Sequence, residues 1–453
     1  MDCLAIMRSR VTCAVVSISS ETRLMLRHRM TTDVGLLAAS QYLSAGLDFL
    51  MAAVVARLLG PSEYGVATLV IAYPTLLWSF VGTKSVSVTT RYIASFRATG
   101  RFEELAGICK FGYSLDVIAA TTAFVLVGAT GWWVAPHIFN LPSMAWLMVA
   151  YGAAFPFFAL TGTSWAILSA WRRFRCFATL QVLYHGITFV VVLGFLVAGF
   201  GVPGMIVGMA IGRAVMGLAI MTVATCMLHR EGLGFWWNAS CKKITSLRQE
   251  FTAFLGWNYF AVTLSGLTAE VPLLLLGRFR GPEEAGFYRL ATSLMTGASL
   301  VESALGKVAH PILSARWAAG ERKSLSRTLK RWTLRGGLPI CAVVLLSIPL
   351  LPIVVPVVFG PGYRPMLPGA QMMIIGAAVS VAFFWLNSFY YASGRIGQWT
   401  KAYGLYTALV ILLAWLSIQQ WGFSGMGILV GVGKMLFTLS MVGALVSTHE
   451  RMQ

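Results

Sequence analysis

Asp48, Lys84, Arg213, Glu270, Arg289, Glu302, Lys307 and Lys434 stand inside long apolar stretches of the chain. Hydrocarbon is a costly place for a charge unless it faces a cavity or a partner. Counting 1.5 Å per helical residue puts Arg289 near one mouth of the membrane. Asp48, Arg213, Glu270 and Lys434 fall near the middle, and Lys84, Glu302 and Lys307 toward the opposite side. A succession of basic groups through a membrane is an arrangement that would hold a phosphate or another anion. Simpler roles stand beside that one. Lys84 and Lys307 are long enough to snorkel to the interface. Arg213 and Lys434 can be held by helix carbonyls or by Asp48 and Glu270. Those two acids can in turn be counter-ions, or a proton or sodium site, and Glu302 reads as a local partner.

Other chemistry has little support. The histidines are isolated, with no HExxH and no Cys/His cluster, so neither a metal nor a cofactor is expected. Gly427–Lys434 departs from a phosphate loop: its glycine is misplaced, Met435 follows the lysine, and the segment lies in an apolar stretch. No pair of carboxylates occupies an outer loop. The chain therefore does not read as an enzyme. Seven cysteines without CxxC spacing read as free thiols, with Cys109, Cys176 and Cys241 on the cytoplasmic face, Cys226 and Cys341 in spans, and Cys3 and Cys13 near the N-terminus.

The elements that must position these charges are membrane helices. With 57% apolar and 11% charged residues and a mean hydropathy of +0.75, the composition is not that of a soluble globule. Stretches of about 20 apolar residues, enough to cross ~30 Å of hydrocarbon, recur at 34–57, 66–90, 112–133, 144–170, 177–199 and 202–228. They return at 251–277, 286–313, 336–358, 366–392, 396–418 and 422–446. The second six repeat the first. Arg57-Leu-Leu-Gly60-Pro61-Ser-Glu63-Tyr-Gly65 returns 221 residues later as Arg278-Phe-Arg-Gly281-Pro282-Glu-Glu284-Ala-Gly286. Gly201, Gly204 and Arg213 likewise answer Gly422, Gly425 and Lys434. An even number of spans per half makes the repeat parallel, a transporter signature. The expected divisions are a cytoplasmic arm without fixed structure at 1–33, a six-helix lobe at 34–228, a linker at 229–250 and a second lobe at 251–448. Met30 is a candidate start, which would make residues 1–29 an extension.

The repeated turn reads as a structural corner. Gly60 and Gly281 end one helix, Pro61 and Pro282 fit the first turn of the next, and Glu63 and Glu284 stand at its positive end. Lys and Arg crowd one side, with Arg91, Arg97, Arg101, Lys110, Arg172, Arg173 and Arg175 in the first half and seven basic residues between Arg316 and Arg335. The positive-inside rule then places both termini in the cytoplasm. The formal charge of +19 needs no nucleic acid, since a basic inner face meets anionic phospholipids. The Ser314–Arg335 segment reads as an amphipathic helix on that leaflet, with a weaker equivalent at Gly100–Lys110.

Twelve spans in two parallel sixes, the ArgLeuLeuGlyProSerGluTyrGly turn with its second copy, and the Val-Phe359-Gly-Pro-Gly-Tyr363 stretch after span nine resemble the polysaccharide-exporter branch of the multidrug/oligosaccharidyl-lipid/polysaccharide flippase superfamily. The resemblance covers residues 34–448. It implies an all-α membrane protein of two six-helix bundles in a V, with spans one, two, seven and eight lining a central cavity. It implies a bacterial inner-membrane flippase for undecaprenyl-pyrophosphate-linked repeat units of O-antigen or exopolysaccharide, with a polymerase and glycosyltransferases as functional neighbours. Lys84, Arg289 and Lys307 match cavity helices and would face the pyrophosphate or acidic sugars. Arg213 and Lys434, on spans six and twelve, lie outside the lining set. The two further spans of lipid II flippases are missing. Asp48 keeps a second reading open, a cation-coupled multidrug antiporter of the same superfamily. A structural membrane protein is a third, disfavoured by the charges in the spans. Across the repeat Lys84 faces Leu305, Lys307 faces Val86 and Arg289 faces Thr68, so the halves differ where substrate is expected.

Overall fold

The computed structural model describes residues 20–82, 86–234, 236–239 and 248–450, and its regular elements are helical, with no strand among the described residues. Eight segments are long and apolar enough to cross a membrane. Two of them, Gly35–Val81 and Ile396–Leu445, each hold two spans joined at a glycine with non-helical dihedrals, Gly60 and Gly422. Arg248–Phe279 and Pro282–Ala318, more charged but as long, complete the twelve.

Several boundaries differ from the hydropathy reading. The first helix starts at Ser20, so half of the arm assigned to 1–33 is helical, while residues 1–19, with Cys3 and Cys13, lie outside the described residues. Span two is described as residues 61–81 and then Val86–Ala98, and Lys84 falls outside the description between them. Span three runs over Phe102–Phe139 because the weak amphipathic segment continues directly into it. Span nine likewise grows out of the amphipathic helix Arg322–Trp332 through a π-turn, Thr333–Gly337, into Leu338–Leu346 and Leu351–Val358. Span ten is Leu367–Ala382, then a break, then Leu386–Ala392. The linker is shorter than 229–250, since span six reaches Arg230 and span seven begins at Arg248; Cys241 lies outside the described residues. Within it Trp236 packs against Tyr113 with the rings tilted by 33° and 5.0 Å between their centres.

The backbone carries the repeat more sharply than the sequence does. Left-handed φ values fall on Gly60 and Gly281, Gly100 and Gly320, Asn140 and Gly360, Arg172 and Gly394, and Gly201 and Gly422, at shifts of 220 to 222 residues. At Gly60 and Gly281 (φ 76° and 93°) only glycine reaches this conformation without a Cβ clash, which is what lets the chain reverse into Pro61 and Pro282.

Burial shows how the lobes meet. At the end carrying the repeated turn, one continuous apolar core takes in Ala56, Tyr64 and Leu69 of the first half with Leu276, Phe287 and Tyr363 of the second. At the basic end the cores are separate, one around Ile93, Leu105 and Trp236, the other around Leu313, Phe389 and Tyr390. The V-shaped pair of bundles is thus closed at the turn end, where apolar side chains exclude water, and divided at the other.

Candidate substrate path between the lobes

The closure at the turn end is made by the repeated motif itself. A β-carbon on Gly65 would run into the backbone carbonyl of Pro282, and one on Gly286 would come within 3.1 Å of the Pro61 carbonyl oxygen and 3.2 Å of Gly65. Glycine at these positions lets two helix starts from opposite lobes touch, the close approach small residues permit between membrane helices. Tyr363, following span nine, reinforces the contact by donating its hydroxyl to the Ala56 carbonyl at 3.0 Å, and Arg57 donates to the Val357 carbonyl.

The motif glutamates do more than face their own helix. Glu284 Oε2 accepts a hydrogen bond from the Phe423 N–H at 2.7 Å, so it caps the start of span twelve, just past the bend at Gly422. Glu63 stands in the corresponding place beside Gly201, at the start of span six.

Moving from the turn end toward the basic end, the seam between spans two and seven closes on Leu69 against Gly277, Ser79 against Gly266, and Tyr259 donating to the Phe80 carbonyl. The Thr263 hydroxyl donates to the Ser79 carbonyl at 3.1 Å. On the other seam Tyr42 of span one reaches the Leu300 carbonyl at 3.4 Å, and the ammonium of Lys307 donates to Gln41 Oε1 at 2.8 Å. Lys307 thus bridges the lobes through a neutral partner, and among the described residues no carboxylate pairs with it.

Arg289 has a different environment. Its guanidinium lies 3.6 Å from Glu270 of span seven, whose side chain is only 7% exposed. It shares a helix with Lys307, but 18 residues separate them, roughly 27 Å along the axis. The two do not form one site.

Asp48 pairs with His185 of span five, Nδ1 to Oδ1 at 2.6 Å, and this places the acid in the first lobe, partnered by a group that hydropathy did not single out. Arg213 lies over the rings of Tyr151 and Phe158, 4.5 and 5.3 Å from their centres, a cation–π seat inside the first lobe. Neither Asp48 nor Glu270 is its counter-ion. Lys434 is half-buried within span twelve. Glu302 accepts from the Ser380 hydroxyl of span ten at 3.1 and 3.0 Å.

Asp116 escaped the sequence reading although it stands in span three. It is 3% exposed and accepts from the Thr163 hydroxyl at 2.7 Å and the Thr163 N–H at 3.2 Å. The rule that singled out the other charges applies to it equally. His185 and Gln41 carried no such signal, since a lone histidine or glutamine becomes meaningful only beside its partner. Among the described residues no cluster of His, Cys, Asp or Glu could hold a metal ion.

Residues 30–317 match the family described as "Polysaccharide biosynthesis protein". The chain belongs to that family. No curated protein matches the sequence. Solved structures share the fold at low identity. A lipid II flippase, MurJ, in an inward closed conformation superposes with a TM-score of 0.73 at 13% identity, covering 90% of this chain and 87% of that one. A multidrug resistance MATE transporter of the MOP superfamily, inward-facing, gives 0.67 at 12%, covering 91% and 96%. A MOP superfamily transporter from Pyrococcus furiosus, described as having reversed polarity in its binding pocket, gives 0.57 at 14%, covering 93% and 95%. This family member therefore shares the fold of these MOP superfamily structures and is a multi-pass membrane protein.

Proposed function

We propose that the protein is a flippase that moves undecaprenyl-pyrophosphate-linked oligosaccharide repeat units, of O-antigen or exopolysaccharide, from the cytoplasmic to the periplasmic leaflet. Lys307 carries the reading: an exposed cation on the inter-lobe seam, bound only to a neutral amide, at the end where the two lobes have separate cores. Such a group can exchange its amide for a phosphate oxygen at little cost, whereas Arg289 would first have to leave Glu270. The pyrophosphate enters at the basic end beside Lys307, with Lys84 the second basic group that the sequence offers for it, the polyprenyl tail stays in lipid, and the lobes rock about the glycine contact at the turn end. The basic end is cytoplasmic, both termini with it, in a bacterial inner membrane. The amphipathic helix Arg322–Trp332, with Leu325 buried and its basic residues outward, rests on anionic phospholipids there.

Replacing Lys84 and Lys307 together by Ala should abolish export in a strain lacking its own flippase while the protein remains in the membrane. Normal complementation would overturn the reading. The triple variant with Arg289→Ala should also fail, but breaking the Glu270 pair gives it a second reason. The Asp48–His185 pair favours a second reading, a cation-coupled multidrug antiporter. A deletion strain hypersensitive to cationic drugs but normal in surface polysaccharide would decide for it.

A further inference from the structure

Between spans seven, eight and ten the second lobe holds a cavity of about 870 Å³ that contains both Lys307 and Glu302. Its size falls in the range of small-molecule sites. Among the described residues, all that line it belong to the C-terminal half.

Two helix irregularities meet beside it. The π-turn Thr333–Gly337 of span nine packs Gly337 against the Ala382 carbonyl, the last residue before the break in span ten. Trp385, in that break, donates its indole N–H to the Thr333 hydroxyl at 2.8 Å, and Ser388 donates to the Gly306 carbonyl of span eight at 2.8 Å. Broken helices and π-turns in membrane proteins tend to mark places where backbone lines a cavity or site. At a shift of 221 the first lobe has none of this. Spans three and four are continuous at the matching positions, where Asp116 and Thr163 bond to each other. Among the described residues the π-turn and the helix break beside the cavity therefore belong to the second lobe alone.

The lining changes character along span eight. Lys307 and His310, one turn apart and both exposed, form a basic end. Glu302, about 7 Å back along the axis, is oriented by its bonds from Ser380, and Ser303, Asn387 and Tyr391 line the same cavity. Hydroxyl, amide and carboxylate groups beside an aromatic face suit a pyranose, which offers hydroxyls at its rim and C–H bonds on its faces. The separation from the basic end suits one sugar ring attached to a phosphate.

We propose that this cavity is a saccharide subsite receiving the sugar attached directly to the pyrophosphate, and that it takes a neutral or N-acylated sugar while Glu302 excludes a uronic acid. The inference rests on the flippase reading and refines it: the cationic groups serve the pyrophosphate, and acidic sugars, if present in the repeat unit, sit farther from the lipid. A carboxylate on the ligand beside Glu302 meets a like charge, so Glu302 discriminates by repulsion as well as by hydrogen bonding.

The test is binding to the full-length protein in lipid nanodiscs, followed by tryptophan fluorescence. The probes are polyprenyl diphosphate, polyprenyl diphospho-N-acetylglucosamine and polyprenyl diphospho-glucuronic acid. The N-acetylglucosamine lipid should bind at least about tenfold tighter than the bare diphosphate, the loss expected when a site built to hydrogen-bond a ligand meets one lacking those groups. The glucuronic acid lipid should gain nothing. Glu302→Gln should bring the two glycolipids together, and Asn387→Leu should remove the gain for N-acetylglucosamine while bare diphosphate binds as before, which also shows that the variant is folded. Equal binding of all three lipids overturns the subsite and leaves the flippase reading standing. Persistence of the discrimination in Glu302→Gln overturns the role of that carboxylate. If none of the three binds more tightly than an anionic phospholipid, both readings fall.

Discussion

Gly65 and Gly286, the last residues of the two copies of one motif, lie against each other across the lobe interface, with a β-carbon on Gly286 reaching 3.2 Å from the Gly65 backbone. A turn that looks like a corner in each half is, in the assembled molecule, the point at which the halves meet. That contact is small and made by backbone from both copies, as a pivot requires, and it stands at the end where the apolar core is shared.

Gly65→Ala places a methyl group on the Pro282 carbonyl, a backbone atom that cannot swing aside. It should cost about 2 kcal/mol, as overpacking does, read as a lower Tm of the purified protein. Gly286→Ala, with more room, should cost clearly less. A Gly65→Ala protein as stable as the parent would remove the pivot.

Glu284→Ala removes the cap on the Phe423 N–H. Loss of a helix N-terminal cap costs about 1 kcal/mol. Glu63 approaches the start of span six without bonding to it, so Glu63→Ala should cost clearly less. Thermal unfolding of the two variants measures this.

Arg289→Met strands the carboxylate of Glu270 in a buried setting. Breaking a buried pair costs on the order of 3 kcal/mol, so this variant should be poorly stable. Arg289→Met with Glu270→Gln should recover most of that loss. Recovery of stability without recovery of export would give Arg289 a transport role in addition to its structural one.

Asp48→Asn weakens a pair in which the acid is 53% exposed. Exposed pairs contribute at most about 1 kcal/mol, so Tm should barely move. If the pair couples transport to an ion gradient, export should nonetheless be lost, with His185→Asn behaving alike. A variant that exports normally assigns the pair to packing alone.

Topology can be read from one thiol. Cys109 is fully buried and reports nothing, whereas Cys176 is partly accessible near the start of span five. A membrane-impermeant maleimide should leave Cys176 unlabelled in intact cells and label it after permeabilisation. Labelling of intact cells would invert the orientation.

Twelve spans, their division into two parallel sixes and the basic side of the membrane were legible in the order of residues, because each is written in composition or in a linear repeat. Hydropathy responds to local solvation, and a duplication leaves its register in the order of residues. That order also located most of the charges inside the spans, missing Asp116 among them. The partner of each charge emerges only from the packed helices. Whether Arg289 meets Glu270, Asp48 meets His185 or Lys307 meets Gln41 depends on how each helix is rotated and how the lobes lean, which is set by side-chain packing between residues 19 to 266 positions apart. The same is true of the cavity in the second lobe, since a π-turn and a helix break create it and neither leaves a mark in hydropathy. The repeated turn shows both sides at once. Its register was legible in the order of residues, and its contact with its own copy appeared only when two distant segments were brought together in space.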